Sequence, residues 1–427
     1  MKLWDKGYKI DAFIEQFTVG NDRELDVQLA KYDVKGSVAH AKMLQKIGIL
    51  SEQELDALLG ALNEISNCIS EGCFVIEHEF EDVHSKIEFL LTQKIGDTGK
   101  KIHTARSRND QVLVDLHLYA KDQINEIKEA VKALFDTLMV QSEKYKDALI
   151  PGYTHLQLAM PSSFGLWFSA YAETLIDDVI MLNAAFKIAD QNPLGSAAGY
   201  GSSFPIDREM TTELLGFDTL KYNSIAAQMS RGKMEKTMAF ALASVSSTLA
   251  KLSMDISIYM NQNFGFLTFP KNLTTGSSIM PHKQNPDVFE IIRAKSNQIQ
   301  NLPNEIALIV NNLPSGYHRD FQMLKSSFME AVELVKENLD MTNYMLQQVI
   351  INQEVLNNPN YDFLYSVEEV NKLVATGVSF RDAYKQIGGD IESGNFNPEK
   401  KINHTHLGSI GNLGLDKIQK KFDQHYC

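Results

Sequence analysis

Proline is scarce and unevenly placed, with 11 in 427 residues and none before Pro151, between Pro205 and Pro270, or between Pro314 and Pro359. Its ring breaks helix interiors, so stretches without it are free to form long helices. Cysteine is scarcer still. Cys68, Cys73 and Cys427 offer neither a disulfide framework nor a Cys-x-x-Cys spacing, and free thiols in a reducing cytoplasm are the expectation. No window approaches about 18 uninterrupted apolar residues, so no membrane span is expected. The opening MKLWDKGYKID lacks the apolar stretch of a secretory leader. Basic residues are outnumbered, 41 Lys and Arg against 54 Asp and Glu, giving a net charge of −13. That balance argues against nucleic acid or an anionic membrane as partner, since both select a basic face. A local cluster of cations can still receive a small anion. Sheet-like alternation is scarce, and internal repeats and low-complexity tracts are missing.

What is present is helical periodicity. Leu113, Leu116, Ala120, Ile124, Ile127, Val131, Leu134 and Leu138 alternate steps of three and four. Met238, Leu242, Val245, Leu249, Leu252, Ile256 and Tyr259 do the same, and a third run passes from Leu324 through Phe328, Val335 and Leu339 toward Val349. Such spacing keeps an apolar seam on one side of a helix and packs it against near-parallel neighbours. The expected fold is all-α in three helical domains: 1–105 with shorter helices, 106–356 as a long-helix bundle, and a small 357–427. Ser51 and Glu54 form a capping box for a short amphipathic helix in the first. Gly388-Gly389, Gly408, Gly411 and Gly414 suggest short pieces in the last. The run from Gly195 to Ser203 reads as a flexible loop, without the third glycine and preceding strand of a dinucleotide fingerprint.

Three polar islands interrupt this pattern. The first, His103-Thr-Ala-Arg106-Ser107-Arg108-Asn109-Asp110-Gln111, sits where a long helix begins. Guanidinium forks bind carboxylates bidentately and a helix start favours anions, so a polar or carboxylate receptor is one reading. A solvated helix cap is the other. The second island is Gly152-Tyr153-Thr154-His155-Leu156-Gln157, between Pro151 and Pro161. Its histidine is either a structural group or a general acid/base near neutral pKa. The third, Thr274 to Asp287, has a Gly-Ser-Ser turn, two prolines and Lys283 in a long connection between helices. Connections of this kind usually carry function. His78, Glu79, Glu81, Asp82 and His84 crowd together, but the histidines lie six apart, outside the usual metal-site spacing. An exposed acidic helix accounts for them, and no metal is expected.

The islands, in this order on a long-helix bundle, resemble the fumarase/aspartase superfamily of lyases. From Gly276 to Pro286 the third island is similar to that group's signature Gly-Ser-Ser-x-Met-Pro-x-Lys-x-Asn-Pro at every fixed position. Arg106 to Gln111, together with Tyr317-x-x-Asp320-x-Gln322-x-x-Lys325, resembles the argininosuccinate-lyase branch. Glu81-Asp82-Val83-His84, Phe204 to Arg208 and Phe380 to Tyr384 extend the likeness over nearly the whole chain. The resemblance implies a β-elimination releasing arginine and fumarate, with Ser277 and His155 as the proton-transfer groups. It implies Lys283 and Asn285 at the succinyl carboxylates and Glu290 paired with His155. Asn109, Thr154, Tyr317, Gln322 and Lys325 would bind the small-molecule substrate, with Arg108 and the retained Arg231 beside them. It also implies a homotetramer whose sites are shared between subunits, and no cofactor.

The chain departs from that pattern in four places. Where a Phe-x-x-Ser segment is expected, residues 17–22 read Phe-Thr-Val-Gly-Asn-Asp, leaving Thr18, Asn21 and Asp22 as candidates to replace the serine. Around Arg231 three acidic residues are replaced, Leu158-Ala-Met160-Pro161 differs from the usual Arg-Ala-Gln-Pro, and the last domain is short. The chemistry itself requires stabilising a doubly charged aci-carboxylate, for which Lys283, Asn285 and backbone N–H groups of the loop are suitable. Ser277 is read as the base and His155 as the acid, with the opposite assignment open at this stage. So are two other functions: a sister lyase acting on adenylosuccinate, suggested by His282 and by the missing acidic residues near Arg231, and a non-catalytic crystallin-like protein on the same scaffold.

Overall fold

The computed structural model describes residues 11–426. The opening MKLWDKGYKI, read above for a leader, and Cys427 lie outside them. The helices in chain order are α1 (Ala12–Val19), α2 (Asp22–Lys46), α3 (Glu52–Ser70), α4 (Val83–Ile95), α5 (Asp97–Lys100) and α6 (Arg108–Lys144). A hairpin of β1 (Leu149–Thr154) and β2 (Gln157–Ser163) precedes α7 (Phe164–Ala189), β3 (Gln191–Asn192), α8 (Arg208–Leu215), β4 (Thr219–Leu220), α9 (Ser224–Gln228) and α10 (Lys233–Tyr259). After β5 (Leu267–Thr268) come α11 (Asp287–Ile299), α12 (Leu302–Ile309), α13 (Leu324–Gln347), β6 (Ile350–Ile351), α14 (Ser366–Ala375), α15 (Phe380–Glu392) and α16 (Leu415–Tyr426). The all-α expectation holds, with short two-stranded ladders β1–β2, β3–β4 and β5–β6 as additions. Among the described residues no helix is long and apolar enough to cross a membrane.

The long-helix seams are where their spacing put them. Leu113 through Leu138 on α6, Met238 through Ile256 on α10, and Leu324, Phe328, Val335 and Leu339 on α13 are all buried. The chain divides into two compact units. One comprises Met1–Ile127, Met181–Ser244 and Ile299–Leu334, the other Lys128–Ile180, Val245–Gln298 and Val335–Cys427. Segment 1–105 therefore falls wholly in the first unit and 357–427 wholly in the second, while 106–356 is shared.

In the first unit, α2, α3 and α4 enclose a core that includes Leu44, Leu58, Leu62, Phe80, Ile87 and Leu91. The capping box forms as expected: Glu54 N–H donates to Ser51 Oγ at 3.2 Å and Ser51 N–H to Glu54 Oε2 at 2.9 Å. Free thiols are corrected here. The chain turns at Gly72 (φ 72°), Cys73 N–H donates to the Cys68 carbonyl, and Cys68 and Cys73 form a disulfide with Cα atoms 5.2 Å apart. The Gly195–Ser203 loop is anchored at its start, because Gly195 and Ala197 N–H groups both donate to buried Asp110 at 2.9 Å. Arg208 adds a 2.8 Å hydrogen bond to the Leu194 carbonyl.

In the second unit, an aromatic cluster supports the hairpin. Tyr153 packs on Phe264 and Phe266, with ring centroids 5.8 and 6.5 Å away, and Phe266 also meets Tyr259 and Tyr361. Asp255 accepts hydrogen bonds from Trp167 Nε1 (3.1 Å) and the Tyr171 hydroxyl (2.6 Å) at the edge of that cluster. The glycine pair expected to break the last segment instead lies inside α15. Ala383 and Ile387 on that helix pack against Val370, and burial of this face outweighs the roughly 1 kcal/mol penalty of each glycine.

Candidate active site

The first island divides its residues between the two readings offered for it. Ser107 and Asp110 cap α6: Asn109 N–H donates to Ser107 Oγ at 3.3 Å, and Ser107 N–H donates to Asp110 Oδ1 at 2.8 Å. Arg106 is buried and donates to Ser37 Oγ. Arg108 and Asn109 instead line a cavity of about 130 Å³, within the first unit, with Tyr317, Gln322 and Lys325. Five of the expected substrate-binding residues thus meet although more than 200 residues separate their two stretches of chain.

Ion pairs form most of this cavity's wall. Arg108 Nη1 reaches Asp82 at 2.6 Å and Glu81 at 3.1 Å, and Arg319 Nη2 reaches Glu81 at 2.9 Å. The buried Lys325 ammonium lies between Asp26 (2.7 Å) and Asp22 (2.9 Å). Gln322 spends its amide N–H groups on the Thr18 and Val19 carbonyls, at 2.8 and 3.0 Å. The segment 78–84, expected as an exposed acidic helix, is the correction here. Residues before Asp82 form turns held by Arg23, whose guanidinium donates to the Phe80 and His78 carbonyls. Asp82 then caps α4, and His84 is buried within that helix. His84 hydrogen-bonds Asp33 and lies 3.8 Å from Asp115. Burial opposes its charge, but Asp33, Asp82 and Asp115 together raise its pKa to about 9. His84 is therefore an imidazolium compensated by surrounding carboxylates.

Arg231 does not line this cavity. It is buried in an ion pair with Glu235 and donates from Nη2 to the Phe321 carbonyl at 2.8 Å, fixing the turn that presents Gln322. Of the three residues proposed to replace the missing serine, the Asn21 side chain points to Ser326 and the Thr18 hydroxyl to Ile14, while Asp22 lines the cavity.

The proton-transfer candidates belong to the second unit. Thr154 and Gln157 pair across the hairpin, leaving His155 and Leu156 as its two-residue tip, both exposed, with φ of 55° and 58°. Two-residue turns with both central φ positive favour Asn and Gly, so a His-Leu tip carries backbone strain of the sort that accompanies functional sites. Ser277 stands on the loop before α11. Its Oγ accepts the N–H groups of Ile279 (3.3 Å) and Met280 (3.1 Å). A bridge between Thr275 and Asn285 closes the loop base, with Asn285 Nδ2 donating to Thr275 Oγ1 and the Gly276 carbonyl. Lys283 lies on the same loop, exposed and without an ion pair among the described residues. Glu290 is exposed in the first turn of α11, and no hydrogen bond or ion pair joins it to His155 in the single chain.

A family model described as lyase matches residues 6–301. An argininosuccinate lyase of Parabacteroides distasonis is 58% identical over 417 residues, covering 98% of this chain and 94% of that protein. One from Bacteroides fragilis is 57% identical, covering 98% and 93%. Among solved structures, EDDS lyase in complex with formate shares the fold, with a TM-score of 0.77 at 21% identity over 98% of this chain and 90% of that one. Nearly end-to-end identity of this degree places the chain in the argininosuccinate lyase family.

Proposed function

We propose that this chain cleaves argininosuccinate into arginine and fumarate by β-elimination. The reading is carried by the 58% identity to an argininosuccinate lyase across 98% of the chain. The proton to be removed is a poor acid, because its carbanion spreads charge onto a carboxylate. Ser277 is the proposed base. The Ile279 and Met280 N–H groups already aimed at its Oγ favour the oxyanion over the alcohol, and Lys283 adds a cation on the same loop. His155, without a hydrogen-bond partner at the hairpin tip among the described residues, would protonate the departing guanidinium nitrogen, with Glu290 as its orienting partner. Asn285 and Thr154 would complete the succinyl side. Arg108, Asn109, Tyr317, Gln322 and Lys325 would serve the arginine side, with Arg231 supporting Gln322 from behind. The C–H electron pair becomes the C=C bond of fumarate and the C–N pair leaves on the guanidinium nitrogen, while one proton goes to Ser277 and one comes from His155, so the step involves no net oxidation or reduction.

The proposed working form is a cytoplasmic homotetramer with sites shared between subunits, and 1–105, 106–356 and 357–427 are the proposed domains. Purified protein should release fumarate from argininosuccinate, read by ultraviolet absorbance, and should leave adenylosuccinate intact. Absence of fumarate at micromolar enzyme would sink the reading. Sedimentation velocity tests the tetramer.

A further inference from the structure

The groups around the 130 Å³ cavity separate into those already engaged and those left over. Arg108, Arg319, Glu81 and Asp82 satisfy one another, and Gln322 is committed to the carbonyls of Thr18 and Val19. Asp26 offers one oxygen to Lys325 and the other to the N–H of Val83 at 3.2 Å. Left over among the described residues are the Asn109 amide, the Tyr317 hydroxyl, the second carboxylate oxygen of Asp22 and the third N–H of Lys325. One ammonium facing two carboxylates leaves a negative charge in excess at this end. Burial pushes the Asp22 carboxyl up, with Lys325 opposing the shift, so a further cation would offset an existing desolvation cost.

Building on the lyase reading above, we propose that Asp22 is a specificity-determining residue that takes the free α-ammonium of the arginine end of the substrate. The remaining Lys325 N–H then meets the adjacent α-carboxylate, so the pair holds an amino-acid zwitterion. Where the resemblance leads one to expect a neutral serine hydroxyl, this chain carries a full charge. An acylated amine removes the cation that Asp22 needs, and a phosphate meets a carboxylate of like charge.

The test is calorimetric titration of the assembled full-length protein with arginine and with Nα-acetylarginine, repeated for D22N and D22S. Wild type is expected to bind arginine at least about tenfold more tightly than the acetylated form, since a buried charge left unpaired is heavily penalised. Both variants should bring the two affinities within about twofold by weakening arginine alone. Equal weakening of both ligands, an unchanged ratio, or no arginine binding to wild type would each overturn the proposal. Argininosuccinate turnover by wild type, measured separately, reports on the lyase reading itself. A protein that cleaves argininosuccinate but keeps its ratio in D22N refutes only the role of Asp22.

Discussion

The two units treat their functional side chains in opposite ways. In the first, most of the cavity's charges are already engaged: Lys325 is buried between two aspartates and Arg108 is clamped by Glu81 and Asp82. In the second, His155, Lys283 and Glu290 are exposed and unpaired among the described residues, whereas Ser277 has donors in place. The residues proposed for recognition are thus prearranged within a single chain, whereas those proposed for proton transfer are held on a hairpin tip and a loop. A recognition pocket gains from rigidity before substrate arrives, because ordering costs are met during folding. Proton-transfer groups acquire their environment only when water is excluded around bound substrate.

The sharpest way to break this contrast is Ser277→Ala. It should lower kcat by about a thousandfold or more, in the range for removal of a general base, and leave the thermal midpoint almost unchanged because Ser277 is only half-buried on a mostly exposed loop. A fall in kcat of less than tenfold would remove Ser277 from its role. The converse holds for Lys325→Met, which leaves Asp22 and Asp26 without their counter-charge. Denaturant titration should show about 3–5 kcal/mol of lost stability, the usual cost of stripping one partner from a buried ion pair. Stability within 1 kcal/mol of wild type would mean that the pair is not a buried one in solution.

A smaller effect concerns His84. Its folded pKa of about 9 lies above its unfolded value, so the protonated form is favoured by folding. That contribution is complete below about pH 6.5 and is lost as pH rises through 9, amounting to on the order of 3 kcal/mol. Wild-type stability should decline across this window and His84→Gln should flatten the decline. Parallel pH profiles for the two proteins would show that His84 is neutral.

Where local signals sufficed, the sequence was readable. The seams of α6, α10 and α13 and the Ser51–Glu54 box depend on spacings of three and four residues, and each is realised. The hairpin was not readable, because its tip is His155-Leu156 rather than the Asn-Gly or Asp-Gly that marks such turns. His84 looked exposed because its neighbours in sequence are acidic, while the carboxylates that bury it come from α2 and α6. Three cysteines without a Cys-x-x-Cys spacing suggest no framework, yet the turn at Gly72 brings Cys68 and Cys73 together.

By itself, the sequence determined the long helices and the composition of the Ser277–Lys283 loop, since periodicity and chain connectivity act over a few residues. Only the tertiary structure decided which charges compensate one another and that Asp22, rather than Thr18 or Asn21, faces the cavity. Coulomb energy and desolvation depend on distance in space and on exclusion of water, and neither is written in the order of residues along a chain.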